Sequence, residues 1–216
     1  MPVRSVILAI PTLGMIDVQV VSKLFTLHRP LNSRVTPCWP VGMDTATARI
    51  KAVEAGIAAG CSHIFFLDHD VLLPPETLTV LAAHDVPVAC GLYYVKTKPP
   101  EPLVIQDEPV PWKHGDAIEV DVTGLGCALI DLSVFDGLSE PWFETGTRYT
   151  EDCHFYRKLA KEKGIRPVVN TGLCCAHKDI KTGELYFFDE ETMKPTWMDV
   201  SGEKHTIPDV TKEEKA

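Results

Sequence analysis

The chain contains 216 residues, of which 45% are hydrophobic and 24% are charged, and these proportions are ordinary for a globular domain with its own core. A formal net charge of −9 argues against a general nucleic-acid binder, which needs a basic surface. No apolar run approaches the roughly 20 residues that span a bilayer, so we expect no signal peptide and no membrane helix.

The first 94 residues alternate between predicted strands and predicted helices. Short apolar runs indicate the strands, and apolar residues at helical spacing indicate the helices. In chain order we expect a strand over 6–10, a helix over 15–28, a helix that begins at Asp44 or Thr45 with Ile50, Val53 and Ile57 on its buried face and ends at Gly60, a strand over 64–68, a short helix after Pro75 and a strand over 86–94. This alternation predicts an α/β fold with a mostly parallel, doubly wound sheet.

The rest of the chain is less regular. Five prolines between positions 95 and 116 predict a loop-rich stretch that forms a flap or edge over a site. Beyond it we expect strands over 118–122 and 127–130, a helix from Thr150 to Lys163, a short strand at 168–169, and hairpins or a loose arm from Lys178 onward. We therefore expect one domain over residues 1–178, with halves at 1–94 and 95–178, and a tail at 179–216.

The most informative feature is the end of the strand predicted at residues 64–68. Asp68 and Asp70 follow its apolar residues at the carboxyl end, where open α/β sheets bind their ligands. If the strand continued, its period of two residues would point both carboxylates to one side, where they would repel each other without a cation. Oxygen ligands suit Mg²⁺ or Mn²⁺ alongside substrate phosphates. The alternative is an acidic turn that begins the helix after Pro75.

A second candidate site combines Pro11 and Thr12, at the end of the first strand, with Arg49 in the second helix. The strand-to-helix turn is placed to hold a base or ribose, and a guanidinium offers a fork for phosphate. No G-x-G-x-x-G or Walker loop occurs, so neither dinucleotide nor P-loop binding is indicated. The alternative for Arg49 is a surface arginine on an alanine-rich helix.

Thr150, Glu151 and Asp152 mark the start of the helix that runs to Lys163. Thr150 is a credible N-cap, and both acids fall in the first turn, where the helix dipole stabilises their ionised form. An ionised and oriented carboxylate accepts a proton from a sugar or alcohol hydroxyl as a general base. The alternative is that these residues serve only to cap the helix.

His177 follows Cys174 and Cys175 after the last short strand. A neutral imidazole is a common metal ligand, although a single histidine more often has another role. A zinc site built from Cys153, His154, Cys174, Cys175 and His177 is an alternative, but the sequence lacks the C-x-x-C pair that is typical of such sites. The seven cysteines are odd in number and scattered through apolar segments, which favours reduced thiols in a cytoplasmic protein.

In their order along the chain, these segments resemble a GT-A glycosyltransferase over roughly residues 5–178. Small, family 2-like members of the bacterial and phage type are the most similar. The ordered set is far more specific than a D-x-D motif alone. It consists of 47–49, 65–71 with the D-x-D, 74–78, 91–94, 123–130, 141–143, 150–152 and 176–177.

The resemblance implies a Rossmann-like GT-A fold and a metal-dependent transfer of sugar from a UDP- or GDP-sugar to a carbohydrate or small-molecule acceptor. It implies that Mn²⁺ or Mg²⁺, coordinated by Asp70 and His177, bridges the donor diphosphate, and that Asp68 contacts the ribose or binds the metal through water. Asp152 would be the base if the reaction inverts, and Glu151 or Asp152 would bind acceptor hydroxyls. The residues implied to bind the donor are Pro11, Thr12, Arg49, Asp68, His69, Gly124, Gly126 and Lys178.

The chain departs from the family pattern in three ways. His69 stands where small or acidic residues are usual, Ile50 replaces a frequent asparagine, and the extended C-terminal acceptor domain of larger members is missing. We therefore expect a small acceptor surface, or one completed by the tail or by a second subunit of a homo-oligomer. Two other functions stay open. One is a sugar-phosphate nucleotidyltransferase, although residues 11–14 lack the basic residue of its usual loop, and the other is a non-catalytic carbohydrate-binding module.

Overall fold

Buried apolar strands form the middle layer of the protein. The computed structural model describes residues 3–206, and its helices are α1 (Val18–Thr26), α2 (Thr45–Ala58), α3 (Thr77–Ala83) and α4 (Glu151–Lys163), with a 3₁₀ helix at Leu132–Phe135. The strands are β1 (Ser5–Ala9), β2 (Arg34–Cys38), β3 (His63–Leu67), β4 (Val71–Leu72), β5 (Val88–Leu92), β6 (Val104–Ile105), β7 (Ala117–Glu119), β8 (Val122–Thr123), β9 (Cys127–Asp131), β10 (Val168–Cys174), β11 (Ala176–Lys178), β12 (Leu185–Asp189), β13 (Lys194–Met198) and β14 (Lys204–Thr206).

The central sheet has seven strands in the spatial order β2-β1-β3-β9-β5-β10-β7. Five of them, β2, β1, β3, β5 and β10, run in one direction, whereas β9 and β7 run in the opposite direction. The predicted α/β domain with a mostly parallel sheet is therefore confirmed. The carboxyl ends of the parallel strands meet at one edge, which is where such sheets bind ligands.

Helices cover both faces of the central sheet. Alternate residues of β3 show this arrangement, because Ile64 and Phe66 belong to one buried cluster and Phe65 and Leu67 belong to another. The first cluster includes residues of α2 and α4, and the second includes residues of α1 and α3. Within residues 3–206, no helix is both long enough and apolar enough to cross a membrane.

A second sheet connects the D-x-D segment to the C-terminal part of the chain. Its strand order is β14-β13-β12-β11-β4, and His177 of β11 lies opposite Val71 of β4. This pairing brings the histidine next to the segment that contains Asp70. From residue 179 to 206 the predicted tail forms hairpins and not a loose arm, while its positions 207–216 lie outside the described residues.

Several predicted boundaries are wrong for local reasons. The pattern does not indicate β2, because this edge strand is largely exposed and contains Pro37, which edge strands tolerate. The first helix is shorter than 15–28, since Asp17 caps it by accepting a hydrogen bond from the backbone N–H of Gln19 at 2.8 Å. Ile57 is 47% exposed and does not belong to the buried face of α2. Residues 118–122 divide between β7 and β8, which belong to different sheets.

Candidate functional site

A cavity of about 330 Å³ lies where β1 and β3 end. Asp44 and Thr45 at the start of α2 form part of its wall, and Asp44 caps that helix by accepting a hydrogen bond from the backbone N–H of Thr47 at 3.0 Å. The turn after β1, the D-x-D segment and the starts of α2 and α4 therefore meet at the edge where a ligand is expected. The predicted site residues in the wall are Pro11, Thr12, Arg49, Asp68, His69, Asp70 and Glu151.

Arg49 is buried between three elements, with only 2% of its side chain exposed. Its Nη2 donates to Oδ1 of Asp68 at 2.9 Å, and its Nε donates to Oε1 of Glu151 at 3.2 Å. The guanidinium also lies 5.0 Å from the centre of the Phe66 ring. Burial alone would lower the pKa of Arg49, but the two carboxylates outweigh burial and hold this pKa above its ordinary value. Arg49 is thus not the surface arginine of the alternative interpretation.

The remaining nitrogen of this guanidinium, Nη1, is buried and has no hydrogen-bond partner within residues 3–206. A buried donor without a partner costs about 1–3 kcal/mol, more for a charged group, so such atoms usually have an acceptor in the functional state. Because Arg49 lines the cavity, a carbonyl or phosphate oxygen of a ligand is suited to be that acceptor.

The two acids of the D-x-D segment have separate partners. β3 ends at Leu67, and the backbone N–H of Val71 donates to the carbonyl of Asp68 at 3.1 Å, which makes a turn. Asp68 faces Arg49, whereas Oδ2 of Asp70 accepts from Nζ of Lys96 at 2.6 Å. The expectation of two uncompensated carboxylates on one side of a continuing strand is therefore wrong, since each acid has its own protein cation.

Asp70 also faces His177, whose Nε2 lies 3.4 Å from Oδ2 of the carboxylate. The other ring nitrogen of His177, Nδ1, is 2.8 Å from the carbonyl of Tyr94, to which it is suited to donate. Burial would raise the pKa of Asp70, but His177 and Lys96 hold this pKa well below its ordinary value. The carboxylate of Asp70 is therefore ionised.

Asp70 and His177 together fit a divalent cation that takes its other ligands from outside the protein. Their 3.4 Å separation is short enough for both atoms to bind one ion at bond lengths of about 2.0–2.3 Å. A metal-binding histidine commonly donates its other N–H to a carbonyl, as the contact with Tyr94 allows. Magnesium sites often use only one or two protein ligands beside substrate phosphates.

Asp68 does not complete a three-residue metal site with Asp70 and His177. In the described part of the chain, only Asp199, Glu203 and His205 bring three carboxylate, imidazole or thiol ligand atoms within 4.8 Å of one another. There the carboxylate of Asp199 already accepts from Ser201 and from the backbone N–H of Glu203. The alternative zinc site is likewise not assembled among residues 3–206. Metal binding by Asp68 stays a prediction.

Gly124 and Gly126 are required by the packing of Tyr93. A Cβ atom at Gly124 would lie 1.8 Å from the Tyr93 hydroxyl, and one at Gly126 would lie 2.7 Å from Oδ2 of Asp68. The backbone N–H of Gly126 donates to this hydroxyl at 3.1 Å, and its carbonyl accepts from the backbone N–H of Asp68 at 3.1 Å. Neither glycine belongs to the cavity wall. Both leave room for the Tyr93 ring, and Gly126 also leaves room for the carboxylate of Asp68.

The acids at the start of α4 are divided between two environments. Glu151 lines the cavity and accepts from Arg49, and its second oxygen lies 3.4 Å from the hydroxyl of Thr145. Asp152 lies outside the cavity wall and accepts from its neighbours, the backbone N–H of Cys153 at 2.7 Å and the hydroxyl of Thr150. Thr150 occupies the predicted N-cap position, and its hydroxyl makes no capping bond to a backbone N–H.

Lys178 contacts the site through its backbone and not through its charge. Its N–H donates to the carbonyl of Asp70 at 2.8 Å, while its ammonium donates to Asp17 at 2.7 Å and to Gln19 at 3.0 Å. The residue that the sequence pattern missed is Lys96, which belongs to the proline-rich stretch after β5. Its position just beyond a strand that ends at the same edge of the sheet was the available signal.

Comparisons with known proteins show the fold but no family. No protein-family model matches the chain, and no curated protein matches its sequence. Among solved structures, the chain is similar to A197 from STIV, with a TM-score of 0.62 and 18% sequence identity over 95% of each chain. At this identity the likeness shows that the two proteins share an overall fold.

Proposed function

We propose that the protein is a metal-dependent glycosyltransferase that moves a sugar from a UDP- or GDP-sugar to an acceptor. The observation that supports this function best is the pair formed by Asp70 and His177, 3.4 Å apart beside a cavity that Arg49 also lines. A divalent cation and a nucleoside diphosphate are ligands of matching chemistry for these groups. The mostly parallel sheet and the position of the D-x-D segment at its edge support the GT-A form of the fold that the sequence resembles.

The donor nucleotide would occupy the cavity at the ends of β1 and β3. Pro11, Thr12 and His69 form its wall, and Nη1 of Arg49 supplies a buried donor for an oxygen of the base, ribose or phosphate. Asp70 and His177 would hold Mn²⁺ or Mg²⁺, which as a Lewis acid supplies positive charge to the departing diphosphate. Asp68 binds Arg49, so its contribution to nucleotide binding is to keep the guanidinium in place.

The two acids of α4 would have different roles. Glu151 is committed to Arg49 by an ion pair of 3.2 Å, so we assign it to positioning at the cavity wall. Asp152 has no cationic partner among the described residues and lies in the first turn of α4. In an inverting reaction Asp152 would accept the proton of the acceptor hydroxyl.

Donor hydrolysis tests the proposal directly. Purified protein is incubated with a panel of UDP- and GDP-sugars in the presence of Mn²⁺, Mg²⁺ or EDTA, and release of the nucleoside diphosphate is measured. We expect metal-dependent release from at least one donor, and its loss in an Asp70→Asn variant whose thermal unfolding shows that it is folded. If folded wild-type protein neither binds nor hydrolyses any of these donors, the proposed function is wrong.

A further inference from the structure

Lys96 occupies the side of Asp70 where a metal would bind. Its Nζ lies 2.6 Å from Oδ2 of Asp70, and the same oxygen faces Nε2 of His177 at 3.4 Å. All three side chains are largely shielded, with exposed fractions of 26% for Lys96, 16% for Asp70 and 17% for His177. An ammonium and a divalent cation on this one oxygen would repel each other strongly in such a partly buried place.

We propose that Lys96 is a resident counter-cation of Asp70, which a divalent cation has to displace when the donor binds. This inference rests on the proposed function, because the nucleoside diphosphate supplies the negative charge that receives the displaced ammonium. A lysine is suited to this exchange, since it is a compact charge on a flexible four-carbon stem. Lys96 therefore makes binding of the metal depend on binding of the nucleotide.

The loop that carries Lys96 is fixed at its backbone, so that the exchange needs only the side chain to move. The N–H of Val95 donates to the carbonyl of Glu101 at 2.8 Å, and the N–H of Thr97 donates to the carbonyl of Val95 at 2.8 Å. Lys98, from the same loop, forms an ion pair of the same length, 2.6 Å, with Glu184. Because this second pair does not involve Asp70, Lys98 is a matched control.

Competition between Lys96 and the divalent cation for Asp70 couples binding of the metal to binding of the nucleotide. Without nucleotide, the divalent cation has to separate Asp70 from Lys96, and its affinity is low. With a nucleoside diphosphate present, the phosphate oxygens bind both the metal and the released ammonium, so that each ligand increases the affinity of the protein for the other. The coupling has to weaken when the ammonium is removed.

Binding of Mn²⁺ measured by electron paramagnetic resonance tests this inference. The proteins are wild type, Lys96→Met, Lys96→Gln, Lys98→Met and Asp70→Asn, each with no nucleotide, with UDP and with GDP. In the absence of nucleotide we expect both Lys96 variants to bind Mn²⁺ about tenfold more tightly than wild type or more, a change of the size that neighbours of metal ligands produce. Lys98→Met should match wild type, and the Asp70→Asn data identify any binding elsewhere, such as at Asp199, Glu203 and His205.

We also expect UDP or GDP to tighten Mn²⁺ binding more in wild type than in the Lys96 variants. Equal Mn²⁺ affinity of wild type and both folded Lys96 variants, within about twofold, would overturn the inference, whatever the donor assay shows. Tighter Mn²⁺ binding in the Lys96 variants, without any effect of UDP or GDP on any protein, would support the counter-cation while the proposed function failed. The two failures are therefore distinguishable.

Discussion

Nη2 of Arg49 donates a hydrogen bond to Oδ1 of Asp68 across 2.9 Å, and this contact ties α2 to the end of β3. The same guanidinium binds Glu151, so it also holds the start of α4. A single buried arginine thus connects the three elements that surround the cavity. The consequence is that stability and ligand binding depend on the same side chain.

Replacing Arg49 by Met should lower the free energy of unfolding by about 3 kcal/mol, because removal of one partner leaves the carboxylates of Asp68 and Glu151 without their shared cation. Urea denaturation at neutral pH measures this change. Lys51→Met is the matched control, since Lys51 pairs with Glu54 on the exposed face of the same helix, with both side chains about half exposed. That variant should change stability by less than about 1 kcal/mol. Equal losses for the two variants would show that Arg49 does not connect these elements.

Gly126 should not tolerate a methyl group. In a Gly126→Ala variant the new Cβ would meet Oδ2 of Asp68 at 2.7 Å and the hydroxyl of Tyr93 at 3.0 Å, so we expect a loss of about 1–3 kcal/mol of stability. Unfolding of the single variants and of the double variant with Asp68→Ala tests the cause. Because the shortest contact is to Asp68, the double variant should lose less than the sum of the single losses by at least about 0.5 kcal/mol.

The control for this cycle is Asp107→Ala, since Asp107 is an exposed residue that pairs with Arg157. Combined with Gly126→Ala, it should give additive losses. Additivity for Asp68 as well would mean that the glycine is needed for another reason than the position of this carboxylate.

The fold could be predicted where burial follows the local pattern. β3 is buried at every residue, and its apolar run indicates a strand without any knowledge of its neighbours. β2 could not be found in this way, because it is an edge strand with mostly exposed residues and a proline. Its pairing with β1 depends on contacts between distant segments, which a local pattern does not contain.

Part of the candidate site could also be predicted from the local sequence pattern. Arg49, Asp68 and Glu151 follow the rule that the ends of strands and the starts of helices meet at one edge of such a sheet, and the structure brings them together. The directions of the two D-x-D carboxylates could not be predicted, because β3 ends one residue before Asp68. Nor does the sequence say which lysine reaches Asp70. That depends on the conformation of a proline-rich loop.

The hydrogen bonds between Ser139 and Glu162 predict that the free energy of unfolding depends on pH. Its carboxylate accepts from the hydroxyl of Ser139 at 2.7 Å and from the backbone N–H of the same residue at 2.9 Å. These bonds and the nearby Lys158 lower the pKa of Glu162 from 4.5 to about 2. Because the folded state has the lower pKa, the contribution is complete above the ordinary value of 4.5 and is lost as the pH falls toward 2.

The measurement compares the unfolding free energies of wild type and Glu162→Gln between pH 7 and pH 3. Wild type should be more stable at pH 7, and the difference should shrink below about pH 4.5 as the carboxylate is protonated. Glu108→Gln is the control, since Glu108 is exposed and the structure shows no hydrogen bond to its carboxylate from residues 3–206. A difference for Glu162 that stays constant over the whole range would contradict the assignment.

Substitutions of the two acids at the start of α4 should have different effects on kcat and KM. Asp152→Asn removes the proposed base but lies outside the cavity wall, so kcat for donor hydrolysis should fall about 100-fold or more while KM for the donor stays near that of wild type.

Glu151→Gln removes the charge that faces Nε of Arg49 at 3.2 Å, and Glu151 lines the cavity. This variant should therefore raise KM for the donor and lower the stability. Partial unfolding would lower the apparent kcat without changing KM, so kcat has to be expressed per folded molecule. On that basis the split distinguishes a chemical role from a positioning role. Normal kcat in a folded Asp152→Asn variant would remove Asp152 as the base and favour a retaining reaction, in which no base is needed to activate the acceptor.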